Sequence, residues 1–136
     1  MDSGLPLPFA AIDNRRSLVY RDNLIDLIAI ALDHPEAPGG TFLLRDQEEV
    51  STPDLAGRIA RALGKELRLF ACPPALLRGA AGLVGQTDAA DRLIASLRID
   101  DSVTRSRLGW YPRFSLDEGL EATCRWYRGG AGGSAR

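Results

Sequence analysis

Three observations predict a mixed α/β fold, with an α+β-like layout in which a small sheet of short strands carries about five helices. The first is residues 14–32, which read as a short strand, a polar turn and a strongly apolar helix. The second is a series of short runs at residues 41–45, 67–71 and 98–100, each bounded by helix-period sequence. The third is helix punctuation: Ser51-Thr52-Pro53-Asp54 opens one helix, and Ser115 with Glu118 forms a capping box that opens another.

Length and charge narrow the function classes. The 136 residues fit one domain, read here as residues 1–128 followed by a flexible glycine-rich tail over 129–136. With 17 Lys and Arg against 18 Asp and Glu, the net charge of -1 offers no basic footprint for nucleic acid or an anionic membrane. Asp26 and Asp33 interrupt the most apolar stretch, which falls short of the roughly 20 residues needed to cross a bilayer. Cys72 and Cys124 stand far apart, and His34 is the single histidine, so no ligand set for a structural zinc is available. A reduced, cytoplasmic protein is the simplest expectation.

Taken in order, residues 4–9 carry a Leu-Pro-Leu-Pro-Phe pattern and should be extended, since each proline drives its predecessor out of the helical region. In the strand that follows, Arg16, Leu18 and Tyr20 share one face, with Arg15, Ser17 and Val19 on the other. Asp22 or Asn23 caps the next helix, whose buried stripe is Leu24, Leu27, Ile28, Ala31 and Leu32. Residues 34–40 form a loop, and His34 at the helix end serves the dipole rather than catalysis. The helix opened by Ser51 buries Leu55, Ile59, Ala62 and Leu63, stops at Gly64, and turns Arg58, Arg61 and Lys65 to solvent.

Gly79, Gly82 and Gly85 have the spacing of a cofactor-binding glycine loop, but such a loop must follow a strand directly. Residues 73–78 intervene and read as helical, so a glycine-spotted helix packed closely on its neighbour is expected. A short helix capped by Thr87 runs to Leu97 and carries Arg92 on its way back to the sheet. Asp101 or Ser102 caps a further short helix that Gly109 ends, and Leu116, Leu120, Thr123 and Tyr127 share the buried face of the last one.

Residues 16–24 resemble the Arg-Asp-(aromatic)-(aliphatic)-(His or Tyr)-Val-x-Asp-Leu segment of the extended short-chain dehydrogenase/reductases, the nucleotide-sugar epimerases and dehydratases. Ser17 replaces the usual Asp and Asn23 the second one, variants similar to those of the subgroup acting on UDP-N-acetylhexosamines. The C-terminal block resembles the same family's closing pattern: Asp100-Asp101-Ser102, then Leu108-Gly109-Trp110-Tyr111-Pro112, then Ser115-Leu116-Asp117-Glu118-Gly119-Leu120, then Trp126-Tyr127. The resemblance covers nearly the whole chain, but only the distal part of the family's length.

This resemblance implies the substrate-binding portion of an extended Rossmann-type enzyme without its dinucleotide-binding half. It implies that Arg16 grips the diphosphate of a UDP-sugar, with Arg92, or else Arg98, as a second contact. Leu7 and Phe9 fall on the edge segment that meets the uracil ring, and Tyr20 on the His/Tyr position. The parent enzyme would use NAD(P) for epimerisation, dehydration or reduction in surface polysaccharide synthesis. This chain would bind none, since the strand-loop-helix glycine fingerprint that holds the dinucleotide is missing, and the proton-moving Tyr-x-x-x-Lys pair is missing too, with no lysine four residues after Tyr20, Tyr111 or Tyr127. No catalytic residue is therefore assigned, and the isolated chain is expected to lack oxidoreductase activity. The expected partners are the UDP-sugar and the missing N-terminal dinucleotide-binding domain, with self-association through exposed apolar faces in its absence. The alternatives are a non-catalytic binding or interaction module of the same family, or a shortened reading frame. For residues 4–9 the alternative is an ordinary proline-rich edge, and for Arg16 a surface pair with Asp13 or Asp22.

Overall fold

The structure, a computed structural model, describes residues 6–83 and 85–131. The fold is mixed α/β, as predicted. In chain order it contains β1 (Arg16–Ser17), α1 (Arg21–Asp33), β2 (Glu49–Val50), α2 (Thr52–Ala62), α3 (Pro74–Leu83), α4 (Thr87–Ile94), α5 (Ser102–Leu108) and α6 (Leu116–Ala131). Among the described residues there are thus six helices, and β1 and β2 make a two-stranded antiparallel sheet. The chain divides into two compact units: the residues up to Arg16 with Val50–Leu97, and Ser17–Glu49 with the residues from Arg98 onward.

In the first unit, α2 starts as the sequence predicts. Ser51 Oγ accepts the Asp54 N–H at 3.2 Å, and Pro53 occupies the first turn. The end is also as expected: Gly64 takes φ +64°, and the Lys65 N–H closes on the Ala60 carbonyl at 2.9 Å. The innermost side chains are Ala56 and Ala60, with Leu55, Ile59, Ala62 and Leu63 half-buried beside them. Arg61 and Lys65 face outward, while Arg58 lies half-buried against Asp54 at 3.2 Å.

The strand expected at 67–71 shrinks to one parallel bridge between Leu7 and Leu69. The one expected at 98–100 moves to Leu97, bridged in parallel to Arg16. The cause of the second shift is Asn14. Its Nδ2 donates to the Leu93 and Ala95 carbonyls, both at 3.1 Å, which satisfies groups a continuing helix would need and stops α4 at Ile94. Thr87 is the first residue of α4 rather than its cap, which is Gln86. Gly79 and Gly82 do sit in a helix, α3, but close packing does not explain them. A Cβ at Gly79 would meet nothing within 4 Å, and one at Gly82 would meet Thr87 Cγ2 at 3.6 Å.

In the second unit the core is Leu27, Leu108 and Trp110, with Ala31, Ala37, Phe42 and Leu44 packed around it. Trp110 Nε1 donates to Asp26 at 3.0 Å, giving the buried indole its polar partner. α1 departs from expectation at its start, since Tyr20 is the capping residue and neither Asp22 nor Asn23 caps the helix. Asp22 is held instead by Arg21 and the Tyr20 hydroxyl, both at 2.9 Å, and Asn23 turns inward. The expected stripe is also only half right: Leu27 is buried, Ala31 is half-buried, and Leu24, Ile28 and Leu32 are exposed.

Residues 41–45 form no strand, because the Leu43 carbonyl accepts the Thr104 hydroxyl in place of a ladder partner. Asp101 is the capping residue of α5, one of the two expected, although the carboxylate that accepts the Ser102 N–H, at 2.9 Å, is that of Asp100. Asp101 lies buried between Arg105 at 2.7 Å and Arg45 at 3.3 Å. Gly109 ends α5 at φ +59°. Ser115 and Glu118 close their capping box in both directions, with Ser115 N–H to Glu118 at 2.8 Å and Glu118 N–H to Ser115 Oγ at 3.3 Å. The Ser115 N–H and hydroxyl, both donating to it, hold the Glu118 carboxyl below its ordinary pKa.

α6 buries Leu116, Gly119 and Cys124, half-buries Leu120, and exposes Thr123 and Tyr127. It runs on through Gly129 and Gly130 to Ala131, into the segment expected as a tail, and residues 132–136 lie outside the described ones. Elongating an established helix adds one bond per residue, which offsets glycine's cost of about 1 kcal/mol. Its glycines respond differently to substitution. A Cβ on Gly119 would sit 2.8 Å from Tyr20 Cγ, whereas Gly129 and Gly130 face open space. Gly119→Ala is expected to destabilise by about 1–2 kcal/mol, overpacking exceeding the gain in propensity. Gly129→Ala is expected to stabilise by roughly 0.5 kcal/mol. Urea midpoints of the two variants measure the contrast.

Candidate functional site

The guanidinium of Arg16 is placed by the short strand that carries it. The Leu97 N–H donates to the Arg15 carbonyl at 2.8 Å, and the Arg15 N–H to Ser96 Oγ at 3.0 Å, so the backbone on either side of Arg16 is fixed to the chain leaving α4. From there Arg16 Nη1 donates to the Arg92 carbonyl at 3.3 Å. The structure therefore brings together two of the residues singled out from the sequence, both in the first unit.

Among the described residues no carboxylate pairs with Arg16. The alternative pairing with Asp22 does not form, because Asp22 serves Arg21 and Tyr20. An arginine has five N–H donors in a planar fork, and Arg16 uses one of them on a neutral carbonyl. The remaining donors suit a phosphate oxygen pair. Arg98, the alternative second arginine, is engaged by Glu49 at 3.1 Å, whereas Arg92 stands exposed with no carboxylate partner among the described residues.

Leu7 uses both of its backbone groups on the neighbouring segment, donating to Arg68 at 2.9 Å and accepting from Phe70 at 3.0 Å. Only its half-buried side chain remains for a ligand. Phe9 lies in a turn rather than an extended run, with its carbonyl accepting the Ile12 N–H at 3.0 Å. Tyr20 belongs to the second unit. Its N–H donates to Asp46 at 2.9 Å, its ring meets Phe114 edge-on at 5.7 Å, and its hydroxyl donates to Asp22, which raises the Tyr20 pKa.

Sequence reasoning missed Asn14 as a positioning residue. It is buried, it accepts the Thr52 N–H at 2.8 Å, and it donates to Thr52 Oγ1 and to two carbonyls at the end of α4. It thereby locks the segment that carries Arg92 to the strand that carries Arg16. Its partners lie 38 to 81 residues away along the chain, so no local motif marks it.

No protein-family model matches the chain, and no solved structure does. A UDP-glucose 4-epimerase of Vibrio cholerae is 39% identical to it over 126 residues, 92% of the chain. The chain is similar to one part of that epimerase. The Arg16 segment and the C-terminal pattern that resembled this family in the sequence thus have a relative to which they can be compared. A second relative, the uncharacterised protein y4nL of Sinorhizobium fredii (strain NBRC 101917 / NGR234), is 25% identical over 129 residues. The chain spans 38% of the Vibrio relative's length and 36% of the Sinorhizobium one's.

The spaced glycines do not make a dinucleotide-binding loop. Gly79 and Gly82 lie inside α3, which opens at Pro74, so the glycines present no row of N–H groups at a helix start. Among the described residues no group of three His, Cys, Asp or Glu side chains comes together, and no helix is long and apolar enough to cross a membrane.

Proposed function

We propose that this chain is the substrate-recognising portion of an NAD-dependent nucleotide-sugar epimerase, with Arg16 and Arg92 holding the diphosphate of a UDP-sugar. The observation that carries the reading is the half-buried Arg16 guanidinium, engaged by a backbone carbonyl of Arg92 rather than by a carboxylate. A cation kept free of acidic partners retains its full charge for an incoming anion. The likeness to a UDP-glucose 4-epimerase supports the nucleotide-sugar class. In this reading the base lies against the Leu7 side chain and Phe9, Tyr20 shapes the neighbouring helix start, and NAD belongs to the part of the enzyme that this chain does not match. The setting is cytoplasmic synthesis of a surface polysaccharide precursor.

Calorimetric titration tests it. UDP is expected to bind at least about 10-fold more tightly than uridine, because a charge-assisted hydrogen bond contributes roughly 1.5–3 kcal/mol. Arg16→Ala should abolish that preference and leave the far-ultraviolet spectrum unchanged. Equal affinity for UDP and uridine, or a variant that binds UDP as the parent does, defeats the proposal.

A further inference from the structure

Along α6, Gly119, Thr123 and Trp126 are spaced i, i+4 and i+7, so they share one face and rise about 10 Å from first to last. The Tyr20 ring presses on that face at its start, where a Cβ on Gly119 would sit 2.8 Å from Tyr20 Cγ. Trp126 stands at its end, 75% exposed. On the turn between the two aromatic side chains, Ala122 and Thr123 are small. The gap is a cavity of about 300 Å³ lined by Tyr20, Arg21, Ala122, Thr123 and Trp126, within the size range of small-molecule sites. A second cavity of about 210 Å³ shares Tyr20, Arg21 and Thr123 with it. All of these residues belong to the second unit. The walls are preformed: the Tyr20 N–H is held by Asp46, its ring by Phe114 and its hydroxyl by Asp22, and the Thr123 hydroxyl donates to the Gly119 carbonyl at 2.7 Å.

Two cations serve this gap. Arg21 donates through Nε to Asp22 at 2.9 Å, and its side chain is otherwise 76% exposed. Arg125, exposed and one turn on from Ala122, acts electrostatically on the Tyr20 hydroxyl, as Arg21 does. No side chain caps α1 at Tyr20, so the positive end of that helix adds to them. Set against the Asp22 carboxylate, the two guanidinium groups leave a single positive charge at the mouth. Asp46 reaches the second cavity, but it is buried with both oxygens engaged, and its charge disfavours a doubly charged ligand. We infer that this groove binds a small, flat aromatic molecule carrying one carboxylate, its ring between Tyr20 and Trp126 and its carboxylate on Arg21. A ring seated there covers an indole that otherwise stands in water, and the outer nitrogens of the Arg21 fork suit a carboxylate. The inference is independent of the roles of Arg16 and Arg92, which belong to the first unit.

Phenylacetate is the probe, followed through the indole N–H resonances of the isotope-labelled chain. The chain has two tryptophans, and Trp126→Phe assigns their signals. The Trp126 resonance should move saturably, while that of Trp110, buried and bonded to Asp26, should stay in place. Phenylacetamide keeps the ring without the charge, and cyclohexylacetate keeps the charge without the aromatic face. Each should bind at least about 5-fold more weakly than phenylacetate. Arg21→Gln should bring phenylacetate down to the affinity of phenylacetamide and leave the amide's own affinity unchanged. Thr123→Leu fills the gap and should abolish the shift while leaving the far-ultraviolet spectrum as it is. A Trp126 resonance that does not move at about 20 mM phenylacetate overturns the assignment, and so does equal affinity for phenylacetate and cyclohexylacetate. UDP added to the Arg16→Ala chain should leave Trp126 unmoved. A shift there overturns the single-carboxylate assignment in favour of a nucleotide, without reporting on the diphosphate site, which that variant lacks.

Discussion

Asn23→Asp is expected to cost about 3–5 kcal/mol of stability at pH 7 and to recover much of that loss as the pH falls toward about 5. Asn23 is 0% exposed, and its amide is satisfied on both sides. Nδ2 donates to Asp46 at 2.7 Å and to the Phe114 carbonyl at 2.9 Å, while Oδ1 accepts the N–H groups of Arg113 and Phe114, both at 3.0 Å. A carboxylate there keeps the two acceptor contacts and loses both donors. It also sets a second negative charge against Asp46, whose pKa burial already raises, opposed by hydrogen bonds from Asn23 and the Tyr20 N–H. The two acids would share a proton and titrate as a pair, the upper step lying well above the unfolded value of about 4. Stability from a raised folded-state pKa is fully present below the unfolded pKa and lost as pH rises through the folded one. The deficit should therefore be small in acid and complete at neutrality. Asn23→Ala, which adds no charge, should lose about 3 kcal/mol with much less dependence on pH. Urea denaturation at several pH values measures both, and an Asn23→Asp deficit that is flat across them contradicts the shared-proton account.

The same residue shows where sequence reading succeeds and where it stops. Asn23 falls on a polar position of a segment recognisable in the sequence, but what it holds, Asp46 and the 113–114 backbone, lies 23 and about 90 residues on. Contacts that close within one helical turn were legible: Ser51 on Asp54, Ser115 on Glu118, Gly64 and Gly109 as stops. Residues 41–45 and 67–71 show the converse error. Their composition favours extended backbone, yet a strand needs a neighbour, and there the neighbour is a threonine hydroxyl or a single bridge. The stripe of α1 was misjudged because its apolar residues span more of the helix than one neighbour covers, and their spacing does not say which of them, Leu27 or Ile28 and Leu32, meets the core. At the candidate site the two arginines were singled out through a sequence resemblance, and the residue that links their segments was not, because a buried asparagine with distant partners looks like any other.

That residue carries the second large effect. Asn14→Ala is expected to cost about 3–5 kcal/mol, and to weaken UDP binding although Asn14 lies in the interior and would not touch the nucleotide. The side chain is 1% exposed and makes four hydrogen bonds. Truncation strands the buried Thr52 N–H, at about 1–3 kcal/mol, takes away the partner of the part-buried Ala95 carbonyl, and leaves a cavity where the amide packed. The Leu93 carbonyl is spared, because Thr52 Oγ1 also donates to it at 3.0 Å. A loss of this size should lower the melting temperature by roughly 10 °C for a chain of this length. The affinity effect follows from where the lost bonds act. Once the Ala95 carbonyl is released, the last turn of α4 can extend or fray, and the Arg92 carbonyl that receives Arg16 moves with it. UDP affinity should drop about 5- to 10-fold at a temperature where the variant is still folded, with uridine affinity changed far less. Adding Arg16→Ala to Asn14→Ala should then cost less in UDP affinity than Arg16→Ala costs alone, because both act through one guanidinium. Strict additivity of the two would show that Asn14 stabilises the unit without positioning the arginine.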